Sequence, residues 1–157
     1  MMTIGIDPGL GGAIAALDDY HHAVTVEDMP VIKVGTKRRL NIPAVLDIIS
    51  GFEQCHVALE HVSAMPHQGV TSCFTFGEGF GVLQTAILAS GHSLHLVRPA
   101  KWKRAMGLTK DKHHARKMAT ERWPQQWGLF KRVKDDGRAE ACLLAAWMRR
   151  ELGEILL

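Results

Sequence analysis

Two acids sit where an acid is hardest to explain. Asp7 closes the run Thr-Ile-Gly-Ile-Asp, and Glu60 closes the run His-Val-Ala-Leu-Glu. Each run is a short apolar stretch that reads as a strand and ends on a carboxylate. A charge taken out of water is costly unless it is paired or holds a cation. A further pair, Asp136 and Glu140, stands four residues apart at the start of an apolar helical pattern, so both fall on one helical face. Hard oxygen donors of this kind suit Mg²⁺ or Mn²⁺. Two such ions about 3.5–4 Å apart activate water and stabilise the leaving oxygen in phosphodiester hydrolysis. Each acid also has an ordinary reading: Asp7 as a turn residue before Pro8-Gly9, Glu60 as an exposed strand end, Asp136 as a helix cap, Glu140 as a solvent-facing helix residue. Their joint placement favours the cation reading.

The basic residues are the second chemical signal. Net charge is only +3, but the stretch from Arg98 to Lys117 has Arg98, Lys101, Lys103, Arg104, Lys110, Lys112, Arg116 and Lys117 against the single acid Asp111. Trp102 is interleaved. This is a candidate phosphate-binding face. Lys101, Lys103, Arg104, Lys110 and Lys112 are its candidate backbone contacts, joined by the triplet Lys37-Arg38-Arg39. Most histidines fall near turns or strand ends. His61 adjoins Glu60, but its side chain points to the other face of the strand; His113 and His114 are, at most, candidates to contact phosphate or polarise water.

To gather distant acids, the chain must form a sheet with its acid-bearing strand ends together. Three strands are expected over 2–7, 13–17 and 23–27, joined by short turns. An exposed loop follows over 31–40, then a helix over 42–50 capped by Asn41. A strand over 56–60 precedes a long helix over 70–90, whose Gly77, Gly79 and Gly81 allow close packing on a sheet. Then come a strand over 93–97, a helix from Pro99 to Met106, a helix from Asp111 to Trp123, a loop over 128–134, and a final helix from Asp135-Asp136 to about Leu152. The expected architecture is α/β: a mixed five-stranded sheet, three antiparallel strands then parallel ones, flanked by helices.

The 157 residues suit a single domain, 1–157, with one sizeable core. No apolar run approaches the roughly 20 residues of a membrane span, and no secretory signal is visible. Cys55, Cys73 and Cys142 sit far apart in apolar runs, which favours reduced core thiols and a cytoplasmic setting.

The stretches GIDPG, ALEHV and DDGRAEACLLAAW resemble the three acidic motifs of RuvC-type Holliday junction resolvases. The linking stretches DMP, AMPHQGVTSCFTFGEGFGVLQ and VRPAKWKRAMGL are similar to those of compact RuvC-like proteins of phages and prophages. The resemblance implies a ribonuclease H-like fold, a homodimer, and Mg²⁺-dependent (or Mn²⁺-dependent) cutting of four-way DNA junctions with two ions per site. It matches Asp7 to the first-strand metal ligand, Glu60 to the acid between the metals, and Glu140 to the last helical acid. The family usually places another acid three before the last, where this chain has Gly137. Asp136 is the nearest candidate, with Asp135 behind it. Family members often carry a junction-wedging aromatic three residues after the second acid, where this chain has Ser63; Met65 or the His67-Gln68 loop stands nearby. Competing expectations are a nuclease of the same fold acting on other branched DNA or on RNA/DNA hybrids, a non-catalytic junction-binding protein, and a nucleotide-binding module. The last needs two related halves, and this chain has one, so no nucleotide cofactor is expected.

Overall fold

The runs Thr-Ile-Gly-Ile-Asp and Ala-Ile-Ala-Ala-Leu become two almost wholly buried strands, β1 (Thr3–Asp7) and β2 (Ala13–Leu17). Strands covered on both faces read as near-continuous apolar runs rather than alternating ones. The computed structural model describes residues 2–20, 22–64 and 66–155, and within these the side chains of Val24, Lys112, Glu154 and Ile155 are not described. Met65, His21 and the Lys112 side chain therefore lie outside the described residues.

The remaining strands are β3 (Ala23–Asp28), β4 (Val31–Val34), β5 (Lys37–Leu40), β6 (His56–Glu60) and β7 (Ser93–Val97). The helices are α1 (Ile42–Ser50), α2 (Val70–Ala89), α3 (Pro99–Ala105), α4 (Lys112–Arg122) and α5 (Asp136–Ile155). The main sheet is mixed and five-stranded, in the order β3-β2-β1-β6-β7, with β1 antiparallel to β2 and parallel to β6. This is the expected architecture. Asn41 caps α1 by accepting from the Ala44 N–H at 3.3 Å, and Asp111 caps α4 by accepting from the His113 N–H at 2.9 Å.

Four local expectations are corrected. The segment 31–40 is no loop but a hairpin, β4–β5, turning at Gly35-Thr36. β4 is mostly apolar yet exposed and β5 is charged up to Leu40, so the apolar alternation that marks a half-buried strand is absent. The glycines of α2 do not pack on the sheet: Gly77 and Gly81 face open space, and Gly79 meets only Leu40 of the hairpin. The segment 124–135 winds into two 3₁₀ turns, Pro124–Phe130 and Val133–Asp135. Among the cysteines, Cys55 and Cys142 are buried, but Cys73 is half-exposed on α2.

Each face of the sheet carries its own core. Ile4, Ile6, Val57 and Leu59 pack with Val45 and Ile49 of α1 and Leu83 and Ile87 of α2. On the other face, Ala13, Ala15 and Ala58 pack with Trp102 of α3, Ala115 and Ala119 of α4, and Leu143 and Leu144 of α5. Residues 141–148 of α5 are all buried. Gly5 makes this possible. A Cβ there would collide with the carbonyl of Ala141 and lie 2.6 Å from the nitrogen of Ala145. The helix therefore rests directly on the backbone of β1, which sets how far along the strand its acids reach. No described helix is long and apolar enough to cross a membrane.

Candidate active site

The strand periodicity decides which face each acid takes. Ile4 and Ile6 belong to the core under α1 and α2, so Gly5 and Asp7 face α5. On β6, Ala58 belongs to the α5-side core, so Glu60 faces the same way. Ile6 pairs with Leu59 in parallel register, which sets Asp7 and Glu60 side by side one step beyond. Glu140 arrives from α5, lying on the face that packs against β1.

Lys103 sits among these carboxylates. Its Nζ is 2.8 Å from Glu140 Oε2 and 3.5 Å from Glu60 Oε1. Trp102, fully buried, donates its indole N–H to Glu60 Oε1 at 3.0 Å. Asp7 Oδ1 accepts from the Gly9 N–H at 3.3 Å, which ties the carboxylate to its own turn. Lys103, a candidate phosphate contact from the sequence, lies within this cluster. Its ammonium sits as the counter-charge inside the acid cluster, because α3 starts two residues after β7 ends, at the same sheet edge as Glu60.

The electrostatics follow from crowding. Burial, then the charges of Glu140 and Glu60, push the Asp7 carboxyl up to about 7. Burial also raises Glu60, against the opposing pull of Lys103 and the Trp102 N–H. Lys103 loses hydration on burial, but the bond to Glu140 and the charges of Glu60, Glu140 and Asp7 hold its proton more tightly than usual. With all groups ionised, three carboxylates share one ammonium, an excess of negative charge that invites a further cation.

The fourth candidate, Asp136, is half-exposed at the first residue of α5, one turn before Glu140. Asp135, its neighbour, is fully buried and accepts from Arg132 at the backbone N–H (2.8 Å) and at Nε (2.9 Å). Its carboxylate closes the turn leading into α5. Position 137 has its own constraint: a Cβ on Gly137 would stand 2.6 Å from the Gly11 carbonyl oxygen and 2.9 Å from Gly12 Cα. The turn after Asp7 is packed against the start of α5, so no side chain fits where the resembled motif carries one. As the side chains stand, no three acidic, histidine or cysteine groups among the described residues converge as a metal-binding set. The donor chemistry nevertheless fits a hard divalent ion: Glu60 and Glu140 already grip one cationic group, and Asp7 adjoins them.

Two grooves flank the acids. One, of about 480 Å³, runs between the β4–β5 hairpin and α2; Pro8 and Leu10 line it beside Asp7, with Lys37 and Arg38 on the hairpin side. The other, of about 710 Å³, is lined by Glu140, Lys103, Arg104 and Lys110. Arg38 also donates to the Leu10 carbonyl at 3.2 Å, and Arg39 pairs with Glu78 at 3.7 Å. Lys101 points elsewhere: its Nζ is 3.9 Å from Glu151 and lies over the Trp147 ring. Glu151 stands eleven residues beyond Glu140 on α5, or about 16 Å along the axis. His61 stacks near Phe80, and His114 closes the turn before α4 by accepting from the Thr109 N–H.

Sequence reasoning missed Trp102 and Lys103 as members of the cluster. The available signal was the short link from β7 to Pro99, which forces α3 to begin beside the end of β6.

The sequence matches no protein-family profile and no curated protein. Solved structures do match in fold. The chain is similar to "T. thermophilus RuvC in complex with Holliday junction substrate", at a TM-score of 0.66 and 17% identity, covering 96% of each chain. It is also similar to "Thermus thermophilus RuvC structure", at a TM-score of 0.59 and 17% identity, again covering 96% of each chain. The fold is that of RuvC: the mixed five-stranded sheet flanked by helices, over nearly the whole chain.

Proposed function

We propose that this chain is a divalent-metal-dependent endonuclease that cuts branched DNA, with the four-way junction as its preferred substrate, in the manner of a compact phage-type RuvC-like resolvase. One observation carries the reading. Glu60 and Glu140, from separate parts of the chain, grip one ammonium at one end of the sheet, and Asp7 lies near enough to feel the charge of all three groups, in a fold shared with a protein solved in complex with a Holliday junction.

Asp7, Glu60 and Glu140 would hold Mg²⁺ or Mn²⁺, with Asp136 as the fourth ligand where two ions bind. Bound there, the ions supply a water of lowered pKa and offset charge on the departing oxygen. The chain's own groups do the rest. Trp102 fixes the Glu60 carboxylate through its indole N–H, and the Gly9 N–H fixes Asp7. Lys103 neutralises the cluster in the free protein and is long enough to turn from carboxylate to phosphate when DNA arrives. Lys37 and Arg38 on one side, and Arg104 and Lys110 on the other, grip the backbone at either side of the scissile bond. Such contacts orient DNA without reading its sequence. A homodimer would place two such sites at a fixed separation, which suits a four-way junction better than a linear duplex.

The test is cleavage by wild type and Asp7→Asn on a four-way junction, a flap and an RNA/DNA hybrid, with Mg²⁺ and with Mn²⁺. The expected result is junction cutting by wild type, and abolished cutting in Asp7→Asn with junction affinity retained. Cutting by Asp7→Asn at the wild-type rate overturns the assignment. A preference for flap or hybrid moves the substrate within the same chemistry.

A further inference from the structure

Three of the four tryptophans are core residues: Trp102, Trp123 and Trp147 are at most 5% exposed. Trp127 is 56% exposed. It stands on the 3₁₀ turn Pro124–Phe130, where its neighbours Trp123 and Phe130 both turn inward and their rings lie 6.0 Å apart. The turn is anchored. Gln126 donates to the Ala23 carbonyl of β3 at 2.8 Å, and Arg116 of α4 donates to the Arg132 carbonyl at 3.1 Å. An indole in water on so firm a base gains nothing for folding, yet it loses little entropy when something stacks on it.

The surroundings say what would stack. Lys131 Nζ lies 5.8 Å from the Trp127 ring centre. Together with His113, Arg116, Lys117 and Phe130, these residues line a shallow groove of about 480 Å³. Its acid, Glu121, is already 3.9 Å from Lys117. An aromatic face rimmed by cations is the arrangement that binds single-stranded nucleic acid, with a base on the ring and phosphates on the rim. An acidic protein surface would use the charges but leave the indole face without a planar partner.

One helix, α4, contributes to both this groove and the basic groove beside Glu140. Ala115 of α4 lines the basic groove beside Glu140, while Arg116, Lys117 and Thr120 line this one. A strand leaving the acids past Arg104 and Lys110 would follow α4 to Trp127.

We propose that Trp127 is a stacking platform for an unpaired base of DNA, held by Lys131 and Lys117 on a strand that runs from the acid cluster along α4. The proposal rests on the nuclease reading for its substrate, and it names a part of that substrate: a single-stranded arm or gap beside the branch. Its test reads binding, in EDTA, so it fails independently of cleavage. A twelve-nucleotide oligo-dT is expected to protect the exposed tryptophan emission from acrylamide quenching, a signal that Trp127→Phe removes. Trp127→Ala should weaken binding of a junction bearing a single-stranded tail by about tenfold, within the range for one stacked base, while changing affinity for a fully paired junction less than twofold. Trp127→Phe should retain most of the tailed affinity, since a phenyl ring still stacks. Absence of protection by oligo-dT, or equal weakening on tailed and fully paired junctions, overturns the proposal. Protection that grows with protein concentration without DNA would reassign the patch to a contact between copies of the chain.

Discussion

At the scale of single residues, the acid cluster is held under strain. Asp7 is half-buried beside two other carboxylates, and its carboxyl rises from 3.8 to about 7. The folded state therefore binds this proton more tightly than the unfolded chain. Below pH 4 both states are protonated and Asp7 costs nothing. As pH rises from about 4 to 7 the unfolded chain ionises first, so stability falls, and the loss is complete above 7. Asp7→Asn removes the penalty while keeping the shape. We expect the metal-free variant to melt several degrees above wild type at pH 8 and close to it at pH 4.5, measured by circular dichroism. A lower melting temperature at pH 8 would mean that Asp7 is a structural residue. An acid that destabilises its own fold is the trade expected of a functional site.

At the scale of elements, the decisive packing is α5 on β1. Gly5 lets the helix touch the strand, and Gly137 lets its first turn touch the loop after Asp7. The start of α5 is pinned by charges: Asp135 is bound by Arg132, and Asp28 of β3 accepts from Arg138 at 2.6 Å. A methyl group at 137 must push the Gly11–Gly12 backbone or the helix by several tenths of an ångström. Gly137→Ala should cost about 1–3 kcal/mol as an overpacking change and should slow cleavage by moving Asp7 relative to Glu140. Chemical denaturation and single-turnover rates check both. Unchanged stability would show that the turn yields freely.

At the scale of the whole molecule, positive charge lines both flanks of the acid end. Removing one cation that neutralises a phosphate should lower the slope of log affinity against log salt by about 0.9 on duplex DNA. Arg104→Ala with Lys110→Ala, and separately Lys37→Ala with Arg38→Ala, should each flatten the junction-binding slope by about 1.8. Lys101→Ala should leave it unchanged, since Lys101 is engaged with Glu151 and Trp147. A groove whose double variant keeps the full slope does not carry DNA. Part of this acid end was legible in the sequence. The short apolar runs of β1 and β6 assigned Asp7 and Glu60 to strand ends, and the i, i+4 spacing put Asp136 and Glu140 on one helical face. The hairpin 31–40 escaped because its two short strands, one apolar but exposed and one charged, bury only Leu40.

From sequence alone came the order of the main-sheet strands and the α-helices, the mixed sheet, and the acids at element ends. These depend on local periodicity and capping, which are written in neighbouring residues. Tertiary structure alone decided the partners: that Lys103 enters the acid cluster while Lys101 turns away, that Asp135 serves Arg132, that position 137 has room only for glycine, and that Trp127 stays in solvent while Trp123 does not. Each of these turns on how closely two elements distant in the chain approach. That distance is set by the packing of both cores on the sheet and leaves no mark in the spacing of residues along the chain.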